Sequence, residues 1–203
     1  MPRLIVAHDY ICPWCYVGWE QGKKLKKEFP GLELLWKGYE LLPEGMDYTP
    51  ARPDPNEAKK PSVPSRFELL VAADGITMPE RTRSFSRSRR ALEGAEFAQE
   101  AGKADAYHDL VYRLYWHEDR DISDLATLTE IAEQAGLDIG GFLLALETGR
   151  FRDRIIEFDE PAHEAGIWNV PTWMFPEKWI AEQPYSVVRE YAARFVKSSE
   201  SSV

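Results

Sequence analysis

The sequence predicts an α/β protein in which a long helical insertion splits a sheet of parallel and antiparallel strands. Three observations lead there. The chain opens on a strand, a helix and a second strand. A middle stretch from about residue 64 to 166 carries apolar residues at helical spacing. Two short β-rich runs and an amphipathic helix then close the chain.

The apolar run Leu4-Ile5-Val6-Ala7 predicts a short buried strand over 4–9. The helix over 12–29 stops at Pro30-Gly31, and Leu34-Leu35-Trp36 centres a strand over 33–39. Two strands joined through a helix pair in parallel, by a right-handed crossover. Pro43 to Pro64, rich in Pro, Asp and Lys and without either period, reads as a loop. In the helical stretch Phe67, Leu70 and Val71 follow 3/4 spacing, as do Ala91, Ala95 and Ala98, then Leu110, Val111 and Leu114. Three helices stop on Ala-Gly, at Gly102, Gly136 and Gly166, where glycine suits a left-handed cap. Thr127-Leu128-Thr129-Glu130 fits a capping box opening the helix that ends at Gly136. The Ala-Gly recurrence is not a helical repeat, because the intervening apolar patterns do not superimpose. Past Gly166, Thr172–Phe175 and Lys178–Ile180 predict a hairpin across Pro176-Glu177. A helix from Pro184 places Val187, Val188, Tyr191 and Phe195 on one face, and the polar residues from Lys197 on are expected to fray.

The chemistry lies between the first strand and the first helix, in Asp9-Tyr10-Ile11-Cys12-Pro13-Trp14-Cys15-Tyr16-Val17-Gly18. Two thiols separated by two residues at a helix start make a dithiol/disulfide redox site. Cys12 falls at the helix N-terminus, where unpaired N–H groups and the helix dipole favour a thiolate. Cys15 falls one turn further in, able to close a disulfide and shielded from attack. Pro13 fits the first turn, where its missing N–H costs nothing. Trp14 offers a flat apolar surface for docking a partner.

The segment resembles the active site of the DsbA-like thioredoxin-fold oxidoreductases, especially their FrnE-like branch. Asn169-Val170-Pro171-Thr172-Trp173 is similar to that family's cis-proline loop, and Gln183-Pro184-Tyr185 to the start of its last helix. The resemblance implies a thioredoxin-like domain formed by 1–60 and 167–203, with 61–166 as an inserted all-helical subdomain. It also implies that Pro171 is cis and lies against the cysteine pair, leaving the Val170 backbone to meet an extended substrate. Trp116 to Ile122 resembles the family's segment facing the active site; Trp14, Trp168 and Trp173 could line a groove with it, although core packing is the expectation for most tryptophans. Two departures bear on the groove's shape: Ala181-Glu182 stands for the family's Gly-Ala, and Asn169 for a common glycine.

The implied activity is thiol:disulfide exchange, Cys12 as nucleophile and Cys15 as resolving thiol. Partners would be protein or low-molecular-weight thiols and disulfides, glutathione among them. The disulfide itself carries the electrons, so no cofactor is called for. The alternative is a glutathione-dependent isomerase or transferase using Cys12 alone, which leaves Cys15 without a task. A third reading, a redox-sensing or chaperone-like binder, makes activity independent of the pair's oxidation state. His8 and Asp9, just ahead of Cys12, are candidates for proton transfer. Strand alternation sends them to opposite faces, so at most one serves directly.

Composition excludes other classes. The 203 residues are 44% hydrophobic, enough for a sizeable core. The net charge of −9, with Arg81, Arg83, Arg87, Arg89 and Arg90 as the one basic patch, argues against nucleic acid. No apolar run reaches the roughly 18 residues of a membrane span. Met1-Pro2-Arg3-Leu4 enters a strand without a signal core, and the two cysteines are both spent on the pair, so the cytoplasm is expected. His8, His108, His117 and His163 are too scattered to complete a zinc site with the cysteines.

Overall fold

The structure, a computed structural model, describes residues 1–46, 63–80, 86–158 and 160–200. Most of the expected Pro43–Pro64 loop lies outside the described residues, as do Arg81 and Arg83. A five-stranded sheet runs in the order β3-β2-β1-β4-β5. β1 (Arg3–His8) is central. It pairs in parallel with β2 (Glu33–Glu40), through α1 (Pro13–Glu28), and antiparallel with β4 (Thr172–Met174). β4 turns back into β5 (Trp179–Ala181), and α8 (Tyr185–Glu200) closes the chain.

Between β2 and β4 run α2 (Arg66–Ala73), α3 (Arg89–Glu100), α4 (Ala104–Trp116), α5 (Leu125–Gln134), α6 (Ile139–Glu147) and the five-residue α7 (Glu160–Glu164). The stretch is not wholly helical, which corrects the expectation: β3 (Ile156–Glu157) pairs Tyr39 with Ile156 and Glu40 with Glu157. Two residues are too few to carry a period. Gly102, Gly136 and Gly166 do sit at left-handed φ of 66°, 72° and 74°, stopping their helices as expected. The capping box does not form at Thr127. α5 begins earlier, with Asp124 accepting from Thr127 N at 3.0 Å. A reciprocal box does open α2, between Ser65 and Glu68.

Leu4 and Val6 of β1, Leu34 and Trp36 of β2 and Leu25 of α1 are buried with Tyr107, Val111, Leu128 and Phe142 of the inserted helices. Each such side chain contributes about 1.5–3 kcal/mol. Strands and insertion therefore share one core. A smaller cluster joins Cys12 and Cys15 to Ala7, Tyr39, Ala162, Ile167 and Val170. The site is thus walled by β1, β2, α7 and the approach to β4.

Candidate active site

Cys12 caps α1. Its backbone is extended (φ −80°, ψ 123°), no side chain caps the helix, and no acid occupies the first turn. The N-terminal N–H groups are left facing the sulfur, with Pro13 costing none of them. Both cysteines are free thiols, Cys12 6% exposed and Cys15 fully buried. Burial, then the hydrogen bond to the Cys12 sulfur, pushes the Cys15 thiol well above its ordinary pKa, and Asp9 N donates to its Sγ at 3.4 Å. A sulfur at the surface and a protonated one beneath it divide the work of exchange between attack and resolution.

The second wall comes from the far end of the chain. The Val170–Pro171 bond is cis, and Cys12 Sγ donates to Val170 O at 3.5 Å. Pro171 lies so close to α1 that a Cβ on Gly18 would stand 2.8 Å from its Cγ. The motif's last glycine lets the loop reach the thiols.

His8 and Asp9 part company as alternation requires. His8 Nδ1 bonds the Tyr112 hydroxyl at 2.9 Å, and its ring packs against Tyr10, Trp36 and His108. Burial, with the neighbouring His108, pushes its pKa well down, so it is neutral. Asp9, fully buried, accepts from Leu41 N at 2.8 Å and Ile11 N at 3.3 Å. Burial outweighs these bonds and lifts its pKa to about 6. It is Asp9 whose charge reaches Cys15.

Three further residues were not singled out by sequence. Tyr112 of α4 has a hydroxyl pushed well above its usual pKa, first by burial, then by charge at Cys15, Tyr10 and Cys12. Glu40, at the end of β2, is a nearly inaccessible carboxylate. Arg66 of α2 stands 5.5 Å from the Trp14 ring and bonds Glu182 through Oε2 and the backbone carbonyl. Only Gly18 and Glu40, beside recognised elements, left a trace in the sequence.

The tryptophans divide. Trp14 is half-buried, edge-on to Phe67 at 4.9 Å. Trp168 is 69% exposed and stacks on His163, whereas Trp173 is fully buried. Trp116 donates to Tyr10 O at 2.8 Å, and His117 meets the Tyr16 hydroxyl at 3.0 Å, so the Trp116–Ile122 segment holds the residues flanking the cysteines. Among the described residues no helix is long and apolar enough to cross a membrane.

Residues 3–188 match the DSBA-like thioredoxin domain. The chain belongs to that family. The family's disulfide-oxidoreductase chemistry agrees with a paired dithiol beside a proline loop. The uncharacterized protein YwbO of Bacillus subtilis (strain 168) is 32% identical over 181 residues, 86% of this chain and 87% of YwbO. Among solved structures, the probable DsbA oxidoreductase of Streptomyces coelicolor superposes with a TM-score of 0.67 at 24% identity, covering 97% of this chain and 91% of that one. The cytosolic disulfide reductase DsbM of Pseudomonas aeruginosa, solved with GSH, gives 0.63 at 16% identity over 98% and 99%. At these identities the two structures speak for the DsbA-like fold alone.

Proposed function

We propose that this DsbA-like protein is a thiol:disulfide oxidoreductase that cycles Cys12 and Cys15 between dithiol and disulfide. One observation carries the reading: Cys15 is a buried thiol hydrogen-bonded to the Cys12 sulfur. Activation of glutathione by Cys12 alone has no use for such a partner. The Cys12 thiolate attacks a substrate disulfide and one substrate thiolate leaves. Cys15 then gives its proton to Asp9 and attacks Cys12, forming the internal disulfide and releasing the second thiolate. No cofactor enters.

Val170 and Pro171 border the thiol that the substrate must reach, with Pro13 and Trp14 on the opposite side. Substrates are protein or small-molecule disulfides, glutathione among them, and His8 serves packing rather than proton transfer. The two cysteines and the Asp9–Gly18 motif support a cytoplasmic, FrnE-like member. The deciding experiment equilibrates the pair against glutathione buffers and counts free thiols by mass. A reversible two-electron transition is expected. A potential near about −270 mV makes the protein a reductase, and one near about −120 mV an oxidant. No transition at all would overturn the redox reading in favour of one-thiol glutathione chemistry.

A further inference from the structure

Asp9 receives a proton in the second step, at a moment when a substrate bound to Cys12 covers the thiol face. The carboxyl is fully buried. Its bonds to Leu41 N and Ile11 N fix its place but carry no proton onward. The remaining neighbour is Ser88, whose side chain lies against the Asp9 carboxyl. The Ser88 hydroxyl is wholly buried and makes no well-aligned hydrogen bond among the described residues. A hydroxyl both donates and accepts, so it can relay.

The next residue is Arg89, and it holds a second buried carboxylate. Arg89 Nη2 lies 2.5 Å from Glu40 Oε2 and also pairs with Glu157, the cross-strand neighbour of Glu40. Glu40 has a side chain 2% exposed, Glu157 one 42% exposed. Both line a cavity of about 660 Å³ whose rim includes the exposed Arg90 and Glu147. Burial runs downhill from Asp9 through Glu40 to Glu157 and solvent.

We infer that Glu40, with Ser88 and Arg89, forms the route by which the proton taken from Cys15 leaves Asp9 for that cavity. The inference rests on the oxidoreductase reading and on Asp9 as the acceptor. The groups facing Glu40 are Arg89 from α3, Asp9 beyond β1 and Glu157 from β3. Glu93, Arg87 and Arg152 lie further round the cavity. Three carboxyls around one guanidinium favour keeping a proton among them. Burial accordingly lifts Glu40 to about 7, just above Asp9 at about 6. A proton can therefore pass from Asp9 to Glu40 and out near neutral pH.

The test uses dithiobis(nitrobenzoate), which releases one coloured thiolate when Cys12 attacks and a second when Cys15 displaces it. The two released thiolates carry off the electron pair that leaves the dithiol, and the Cys15 proton goes to Asp9. The ratio of second-step to first-step rate is followed from pH 5 to 9 in wild type, Asp9→Asn, Glu40→Gln and Glu157→Gln. Glu40→Gln is expected to lower the ratio about tenfold and to displace the inflection of its pH profile. Glu157→Gln, at the exposed end, should lower it about twofold and decides the matter should Glu40→Gln not fold. A low ratio in Asp9→Asn, with wild-type ratio and profile in both glutamate variants, would overturn the route and leave Asp9 as the acceptor. An unchanged ratio in Asp9→Asn would overturn both.

Discussion

Replacing Gly18 with alanine tests how tightly the proline loop is pressed onto α1. An alanine Cβ would sit 2.8 Å from Pro171 Cγ and 3.1 Å from Pro171 Cβ. Carbon atoms at rest are about 3.5–4.0 Å apart, so the overlap is roughly 0.7 Å or more. The atoms met belong to a ring closed onto the backbone, which cannot rotate away as a flexible side chain would. Alanine gains about 1 kcal/mol over glycine inside a helix, whereas overpacking of this kind costs about 1–3 kcal/mol. The clash should win. We expect a net destabilisation of up to about 2 kcal/mol, lowering Tm by about 2–4 °C for each kcal/mol. The segment that yields also carries the Val170 carbonyl, now 3.5 Å from Cys12 Sγ, so the reduction potential should shift as well. Urea unfolding of the dithiol form and equilibration with glutathione read the two effects. A variant about 1 kcal/mol more stable than wild type, with an unchanged potential, would refute the reasoning, since helix propensity alone would then have been at work.

Three other outcomes follow from the site. Cys12→Ser should abolish disulfide exchange while Cys15→Ser accumulates mixed disulfides visible by mass; full activity in either would end the dithiol mechanism. Stability should respond to pH in two opposed ways. Burial holds Asp9 at about 6 and Glu40 at about 7, so the folded chain keeps protons there that the unfolded chain has released, and acidification from about pH 7 stabilises it. Burial pushes His8 well down and His108 to about 3, so below about pH 6.5 the unfolded chain takes up protons that the folded chain refuses, and acidification destabilises it. Glu40→Gln removes one stabilising group, and its urea midpoint should fall more steeply than wild type between pH 7 and 5; a shallower fall would contradict this assignment. Glu182 holds a left-handed φ of 52° and an exposed ion pair with Arg66. Glu182→Gly and Glu182→Ala both lose the pair, and glycine should be the more stable by about 1 kcal/mol; equal melting temperatures would speak against the strained backbone.

The strand–helix–strand opening and the glycine stops were legible because each rests on local chemistry: an apolar run, a Pro-Gly pair, a residue without a Cβ. The redox pair was legible for the same reason, as was the divergence of His8 from Asp9, which alternation alone requires. β3 was hidden, because two residues carry no pattern and Ile156-Glu157 becomes a strand only by lying beside β2. The cap of α5 was misplaced for a different reason. Asp124 and Thr127 are both short polar residues suited to a cap, and the turn at Asp121–Asp124 selects the first. Glu40 and Tyr112 were hidden most completely. Nothing local distinguishes a buried glutamate from a solvated one; only packing against α3 and β3 closes off Glu40, and only α4 brings Tyr112 to His8.

The bond from Cys12 Sγ to Val170 O joins residues 158 positions apart. A ribosome adding about 5–20 residues per second needs on the order of 8–30 s to cover that distance. For that interval the nascent chain presents two cysteines with no wall beside them, open to any disulfide in the surroundings. The inserted helices, rich in local contacts, have time to form before β4 arrives, while the central sheet must wait for it. Birth therefore places the thiols early and their guard last, so that the finished reactivity of the pair is a property only the nearly complete chain possesses.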